Sequence, residues 1–272
     1  MPVRKDESGR RTVAAEVEVP GTPEDVWRAI ATGPGVTSWF VPTRVEERVG
    51  GTVATNFGPG MESLATITAW EPPRRFTADS PEAMGPGSPT IATEWTVEAR
   101  AGGTCIVRVV HAWFAETDDW DAQFEGHEHG WQAFFHILRL YLSHFRGRSG
   151  ANLQLMGVAP EPTVQAGWAE LTGRLGLAGA EPGQRVQSAS DAPALAGQVE
   201  RVGPDEHPEL LLRLDAPVPG IAHLFALPMG GQVYLPVRLY LFREEPTAAA
   251  AREEPAWQAW MARHFPMPGQ PG

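Results

Sequence analysis

The sequence predicts an α+β fold in which a curved antiparallel sheet packs against one long helix. Alternating apolar and polar runs, separated by glycine-rich turns, fill residues 12–114 and indicate strands. Residues 118–145 then change to a helical period. A weaker version of the same order occupies residues 151–272, so we expect two domains, over residues 10–150 and 151–272.

The first strand and helix have clear boundaries. Residues 12–20 alternate apolar and acidic side chains, which is typical of a strand with one solvated face. Thr22 is a suitable N-cap and Pro23 a suitable first helical residue. The glycines at 33 and 35 are expected to end this helix before a short segment over residues 36–41.

The strands that follow are short and antiparallel. Gly50 and Gly51 separate two of them as a hairpin turn. The predicted runs are residues 44–49, 52–57, 63–69, 75–79, 90–98 and 104–114. In the last run, period-two alternation places five side chains on one face, namely Cys105, Val107, Val109, His111 and Trp113.

A long amphipathic helix follows the strands. Its apolar stripe has the spacing 4, 3, 4, 3 and consists of Trp131, Phe135, Leu138, Leu142 and Phe145. Glycines at 147 and 150 end it. We expect this helix to cross the concave face of the sheet.

Four local matches at offsets of 126 to 130 residues indicate an internal repeat. They pair Ile91-Ala92 with Ile221-Ala222, Gly102-Gly103 with Gly230-Gly231, Val107-Arg108 with Val237-Arg238, and residues 131–134 with 257–260. Helices are predicted over residues 163–175 and 256–265, and strands over 197–202, 210–214, 221–227 and 233–242. No counterpart of the first strand or of the Gly50-Gly51 hairpin is evident, so we expect a reduced sheet. The alternative is a β-rich appendage without duplication.

Charge and composition exclude several classes of function. The 22 Lys and Arg residues against 33 Asp and Glu residues give a net charge of −11, which disfavours nucleic acid as a partner. No window approaches the roughly 18 apolar residues of a membrane span, and residues 1–11 do not resemble a signal peptide. We therefore expect a cytoplasmic protein. Cys105, the single cysteine, excludes an internal disulfide and is expected to be an inert core residue.

Several motifs in the first half resemble a known family. They are residues 16–27, Trp39-Phe40, Gly50-Gly51, and Gly130-Trp131 at the start of the long helix. Over residues 10–147 the chain resembles the SRPBCC (START-like) superfamily, in its bacterial branch named after the activator of heat-shock protein 90 ATPase. The resemblance implies a helix-grip fold, in which the long helix closes a hydrophobic cavity. It does not imply one activity, because members of the superfamily bind lipids or hormones, cyclise polyketides or act as co-chaperones.

Apolar and aromatic side chains are the candidate lining of such a cavity. The candidate ligand-binding residues are Trp39, Phe40, Phe57, Trp95, Val109, His111, Trp113, Trp131, Phe135 and Leu138. The competing interpretation is ordinary core packing, in which large rings supply buried area.

His111 is the one candidate for acid–base chemistry, because it shares the inward face of its strand. The alternative is a core histidine bonded to a backbone group. At an offset of 130 its counterpart is Leu241, so only the first concavity would carry this polar group.

No metal site or cofactor is expected. His127 and His129 lie two residues apart on a predicted helix and cannot chelate one ion, and Glu125 with His129 would need further ligands. The acidic run at residues 116–119 is most simply a solvated face.

Three functions remain open. The first is noncatalytic binding of a small hydrophobic molecule between the long helix and the sheet. The second is a co-chaperone-like module that binds a chaperone or another protein. The third is a cyclase-like enzyme that uses His111 as acid or base.

Overall fold

The computed structural model describes residues 3–7, 9–58, 61–82, 87–114 and 121–267, with backbone only for 121–130. The chain divides into two compact units, residues 1–148 and 149–272. The boundary proposed from the sequence lies at residue 150.

The described part of unit 1 combines eight strands with three helices. The strands are β1 (Arg4–Lys5), β2 (Arg10–Pro20), β3 (Thr43–Val45), β4 (Thr52–Asn56), β5 (Glu62–Glu71), β6 (Arg75–Ser80), β7 (Ile91–Arg100) and β8 (Thr104–Phe114). The helices are α1 (Pro23–Ala31), α2 (Gly33–Thr37) and α3 (Asp121–His144). The predicted α+β class and the long closing helix are confirmed.

The sheet of unit 1 is antiparallel throughout, with the order β1-β2-β8-β7-β6-β5-β4-β3. Its first long strand therefore pairs with its last, and α3 packs along β2. Val107 and Val109 of β8 and Ile137 and Leu138 of α3 are fully buried, which places the core between this helix and the sheet.

The glycines at 33 and 35 do not simply end the first helix, as the sequence suggested. They begin α2, in which Pro34 occupies the first turn and Thr32 is the N-cap, accepting a hydrogen bond from the Gly35 backbone at 3.1 Å. A Cβ at Gly35 would lie 1.9 Å from the carbonyl oxygen of Arg28, so glycine allows α2 to follow α1 directly.

The predicted Gly50-Gly51 hairpin is present but more open than expected. β3 ends at Val45, which pairs with Val53, so the connection spans residues 46–51 and is not a two-residue turn. A Cβ at Gly51 would lie 2.1 Å from the carbonyl oxygen of Glu46. The glycine therefore permits a close backbone approach inside a longer loop.

Over its described residues, 149–267, unit 2 contains seven strands and two helices. They are β9 (Ala151–Val158), α4 (Val164–Leu175), β10 (Arg185–Gln187), β11 (Ala196–Val202), β12 (Glu209–Ala216), β13 (Gly220–Phe225), β14 (Leu227–Met229), β15 (Gln232–Leu241) and α5 (Pro246–His264). No helix in the described parts of the chain has the length and apolar character needed to cross a bilayer.

Unit 2 repeats the topology of unit 1, which confirms the internal repeat. Its opening strand β9 pairs with its last strand β15, and the sheet continues through β13, β12, β11 and β10. The closing helix α5 packs along β9, as α3 packs along β2. In both units the last hairpin turns through two adjacent glycines with positive φ, Gly102-Gly103 and Gly230-Gly231.

The expectation that unit 2 lacks a first strand was wrong, because β9 occupies that place. Leu153, Leu155 and Gly157 alternate with exposed or half-buried residues, so the period-two pattern is there but includes a glycine. A Cβ at Gly157 would lie 2.4 Å from the Cβ of Phe265, just beyond the end of α5. The tight contact with the closing helix therefore interrupts the apolar signal.

Two further details of the predicted repeat need correction. Ile91 lies on the inward face of β7, whereas Ile221 pairs with Tyr240 on the opposite face of its sheet, so these isoleucines are not structurally equivalent. The closing helix α5 begins at Pro246, ten residues before the predicted start at 256, and continues through Pro255.

Candidate functional site

A cavity of about 160 Å³ lies inside unit 1. It is bounded by residues of α1 and α2, by the segment that follows α2, by the inward faces of β3 to β7, and by the first described side chain of α3. Six aromatic side chains of the described residues line it, namely Trp39, Phe40, Phe57, Phe76, Trp95 and Trp131.

Trp39 is fixed by the turn that follows α2. The backbone of Ser38 donates to the carbonyl of Gly35, and that of Trp39 to the carbonyl of Val36. The indole N–H of Trp39 then donates to the carbonyl of Ala29 at 2.9 Å, and the ring is 1% exposed. A buried indole that has its hydrogen bond presents only its apolar surface to the cavity.

Phe40 and Trp131 form the middle of the aromatic wall. Their rings stack with centroids 5.4 Å apart, and Phe57 meets Phe40 edge to face at 5.7 Å. Trp95 meets Trp131 edge to face at 5.1 Å. Phe57 is 40% exposed, so the cavity is bordered by solvent near the end of β4.

The remaining polar lining consists of hydroxyl groups. They belong to Thr43, Thr55, Ser63, Ser80 and Thr93. Thr43 donates its hydroxyl to the carbonyl of Val41 at 2.9 Å. No charged side chain lines the cavity among the described residues. Burial of an ionised ligand without a counter-charge is costly, so the site suits a neutral molecule.

His111 lies behind this wall and is half-buried. Its Nε2 accepts a hydrogen bond from the indole N–H of Trp131 at 2.8 Å, and its Nδ1 lies 2.9 Å from Oγ1 of Thr93. An indole nitrogen can only donate, so Nε2 carries no proton and the proton of the neutral ring is on Nδ1. The imidazole is thus bonded to two side chains among the described residues.

Five of the ten candidate residues line the cavity in the structure, and five do not. Trp39, Phe40, Phe57, Trp95 and Trp131 line the cavity. Val109, Phe135 and Leu138 are at most 3% exposed and lie away from it, and His111 contacts two lining residues.

Trp113 belongs to a separate cluster with Val13 and Ile91. The hydroxyl residues, Thr93 above all, were missed by reasoning that looked for rings. Thr93 shares the inward face of the predicted strand 90–98 with Trp95, and that alternation was the available signal.

The cavity is smaller than a typical pocket for a drug-sized ligand. Pockets for drug-sized ligands occupy about 300–1,000 Å³, whereas a cavity of about 150 Å³ is known to hold benzene. A volume of about 160 Å³ therefore suits a molecule of one or two rings. The space lies at the Trp131 end of α3, and the helix packs closely on the sheet farther along, where Leu138 and Leu142 are buried.

Cys105 has the environment of an inert thiol. It is completely buried, and its thiol donates to the carbonyl of Gly21 at 3.4 Å. Burial raises its pKa, and the nearby charges of Glu24 and Asp25 raise it further. The side chains of Glu125, His127 and His129 and the acidic run 116–119 lie outside the described residues. The described residues hold no group of three metal-binding side chains.

Comparison with known protein families gives one match, which lies in the first unit. The model of the family described as "Activator of Hsp90 ATPase homolog 1-like protein" matches residues 20–143. No curated protein matches the chain.

Solved structures with a similar fold include three informative examples. CalU16 from Micromonospora echinospora is 21% identical, covers 53% of this chain and 84% of its own, and has a TM-score of 0.41. The Aha1 dimer from Colwellia psychrerythraea is 22% identical, covers 50% and 98%, and has a TM-score of 0.40. The di-domain ARO/CYC BexL from the BE-7585A biosynthetic pathway is 12% identical, covers 96% and 100%, and has a TM-score of 0.45.

The family match covers α1, the strands that line the cavity and nearly all of α3. The strand order shows that these strands form one antiparallel sheet, and α3 packs against it. Unit 1 therefore has a helix-grip fold whose residues 20–143 match the activator of Hsp90 ATPase homolog 1-like branch of the SRPBCC superfamily, and unit 2 is a second copy of the fold.

Proposed function

We propose that unit 1 binds a small, neutral aromatic molecule in its cavity and does so without catalysing a reaction. The observation that carries this proposal is the composition of the lining, which combines six aromatic rings and five hydroxyl residues with no described charged group. Apolar walls with a few polar groups are characteristic of ligand sites.

The volume limits the ligand class. Fatty acids and tetracyclic polyketides exceed a cavity of about 160 Å³, whereas one or two rings fit. Stacking of the kind that Phe40 makes with Trp131, and edge-to-face contacts of the kind that Trp95 makes with Trp131, would extend to an aromatic guest.

The test is a titration of the full chain with naphthalene and indole, followed by ¹H–¹⁵N NMR of the tryptophan indole groups. We expect saturable shifts of the Trp95 and Trp131 signals, with the Trp257 signal of unit 2 unchanged. The blocking variant is Ala78→Ile, because Ala78 lines the cavity and is 4% exposed. Absence of shifts in the unmodified protein, or equal shifts in the blocked variant, would contradict the proposal.

The cyclase alternative has little support from the geometry around His111. Both ring nitrogens have hydrogen-bond partners, and these partners, Thr93 and Trp131, are themselves cavity residues. A proton-transfer group must reach the reacting atoms directly or through one water. Chemical conversion of a bound probe, lost in His111→Ala, would restore this alternative.

The co-chaperone alternative makes a different prediction. A chaperone would be captured by a protein surface, so Ala78→Ile would leave its binding unchanged. Stimulation of a bacterial chaperone ATPase by both the unmodified and the blocked protein would support that function. A cytoplasmic location remains a prediction.

A further inference from the structure

We infer that the hydroxyl of Thr93 is the hydrogen-bond donor that selects the cavity's ligand, and that His111 is the positioning residue that orients it. The ligand would be a one- or two-ring aromatic compound with a neutral acceptor oxygen, such as an aryl ketone or aldehyde. This inference rests on the proposed function and deepens it.

Strand register brings Thr93 to the cavity beside His111. Thr93 of β7 pairs with His111 of β8 on one side and with Ala78 of β6 on the other. Both Thr93 and Ala78 line the cavity. Because alanine is small, the neighbour on that side leaves the threonine hydroxyl uncovered.

The direction of the hydrogen bonds follows from counting protons. Trp131 donates to Nε2 of His111, which leaves the imidazole proton on Nδ1. Nδ1–H then donates to Oγ1 of Thr93 at 2.9 Å. The hydroxyl has one proton of its own, and His111 is the single hydrogen-bond partner of its oxygen within the described part of the chain. That proton is available to an acceptor in the cavity.

The rest of the lining determines what kind of acceptor fits. A carboxylate would enter a wall with no described cation, at a large cost in desolvation. A carbonyl oxygen carries no charge and accepts one or two hydrogen bonds. The donor from Thr93 therefore favours neutral carbonyl compounds over anions and over plain hydrocarbons.

The first test compares two probes of nearly equal shape, acetophenone and α-methylstyrene. Acetophenone has a C=O group where α-methylstyrene has C=CH₂. Thr93→Val replaces the hydroxyl by a methyl group at similar volume. We expect this substitution to weaken the binding of acetophenone by about 3- to 10-fold, which corresponds to the net contribution of one hydrogen bond. The affinity for α-methylstyrene should change by less than about 2-fold. The matched control is Thr96→Val, on the outward face of the same strand.

The outcomes separate this inference from the proposed function. If both probes bind and Thr93→Val changes their affinities equally, the inference that Thr93 is the donor is wrong, while the proposed binding function stands. If neither probe binds the unmodified protein, both fail. If Thr96→Val reproduces the selective loss, the effect is not specific to the cavity and the inference is overturned.

The second test examines His111 without any ligand. Long-range ¹H–¹⁵N NMR of the imidazole distinguishes a proton on Nδ1 from one on Nε2. We expect Nδ1–H in the unmodified protein and in Thr96→Val. Trp131→Phe removes the indole donor, and we expect the proton to redistribute toward Nε2. An Nε2–H ring in the unmodified protein would overturn the assignment, because Oγ1 of Thr93 would then have to donate to Nδ1.

Discussion

The inward faces of the two sheets differ although their topologies agree. In unit 1 the last two strands present Thr93, Trp95 and His111 to the interior. In unit 2 the last strand presents Leu235, Leu239 and Leu241, all completely buried in one apolar cluster. Leu239 is the eighth residue of β15 and His111 is the eighth residue of β8, so the two occupy equivalent positions. The same arrangement of strands thus carries a polar, ring-lined cavity in one copy and aliphatic packing in the other.

Each copy also has a histidine on a central strand, and the two histidines lie on opposite faces. His111 faces the interior of unit 1 and contacts Thr93 and Trp131. His223 pairs with Arg238 on the outward face of β13, stacks on Phe225 at 4.7 Å, and lies 3.2 Å from Glu209. His111 therefore contacts residues that line the cavity, whereas a histidine bound to a carboxylate contributes to stability and its pH dependence.

The largest expected effect comes from Glu209 in unit 2. Burial alone would raise its pKa, but hydrogen bonds from His223 and Arg201 outweigh burial and lower the pKa to about 2. A carboxyl whose folded pKa lies below its unfolded value stabilises the protein above about pH 4.5 and loses that contribution as the pH falls through about 2. The loss is on the order of 3 kcal/mol. Burial lowers the pKa of His223, which also disfavours the fold in acid, below about pH 6.5.

Protection of β12 and β13 against hydrogen exchange, compared between pH 7 and pH 3, would detect the part of this loss that occurs above pH 3. Glu209→Gln should show a smaller difference between the two pH values, because it cannot gain a proton. If the variant keeps the full acid dependence, Glu209 is not its source.

Matched enlargements of two alanines test the difference in packing. Ala78 lines the cavity of unit 1, whereas Ala222 is completely buried beside Leu239 in unit 2. Ala222→Ile should destabilise unit 2 by about 1–3 kcal/mol through overpacking, and Ala78→Ile should cost less because it enters existing space. Urea unfolding of both variants provides the comparison. Equal losses would mean that the two interiors are equally filled.

The smallest expected difference in stability concerns the N-caps of the first helix of each unit, α1 and α4. Thr22 caps α1 and shares a reciprocal capping box with Asp25, whereas Thr163 caps α4 with its side chain alone. Each substitution to alanine should cost about 1 kcal/mol, with Thr22→Ala the larger of the two. Thermal unfolding would rank the two variants by their loss of stability. A larger loss for Thr163→Ala would show that the capping box adds nothing to the stability of unit 1.

The order of elements in unit 1 could be predicted because each element has a local signal. The alternation in β8 and the apolar stripe of α3 are properties of consecutive residues, and both elements were found within a few positions of their observed ends. β9 was missed because Gly157 is explained only by Phe265, more than a hundred residues later. A local pattern cannot show such a contact.

The candidate site was harder to predict for a related reason. Ring-bearing residues were singled out by type, yet Phe135 and Leu138 lie in packed core while Trp95 and Trp131 border the cavity. Which inward side chain meets empty space depends on the size of its neighbours across the sheet, such as Ala78 beside Thr93. That information resides in strand register and not in residue type.

In both units the first long strand hydrogen-bonds to the last strand. These pairs are β2 with β8 and β9 with β15. During translation, the nascent β2 therefore has no partner in this ladder until β8 has left the ribosome, and β9 has none until β15 follows. Pairing across so long an intervening chain has a high entropic cost and favours slow folding. Each copy should consequently complete its fold late in its own synthesis, with its first strand exposed to chaperones until then.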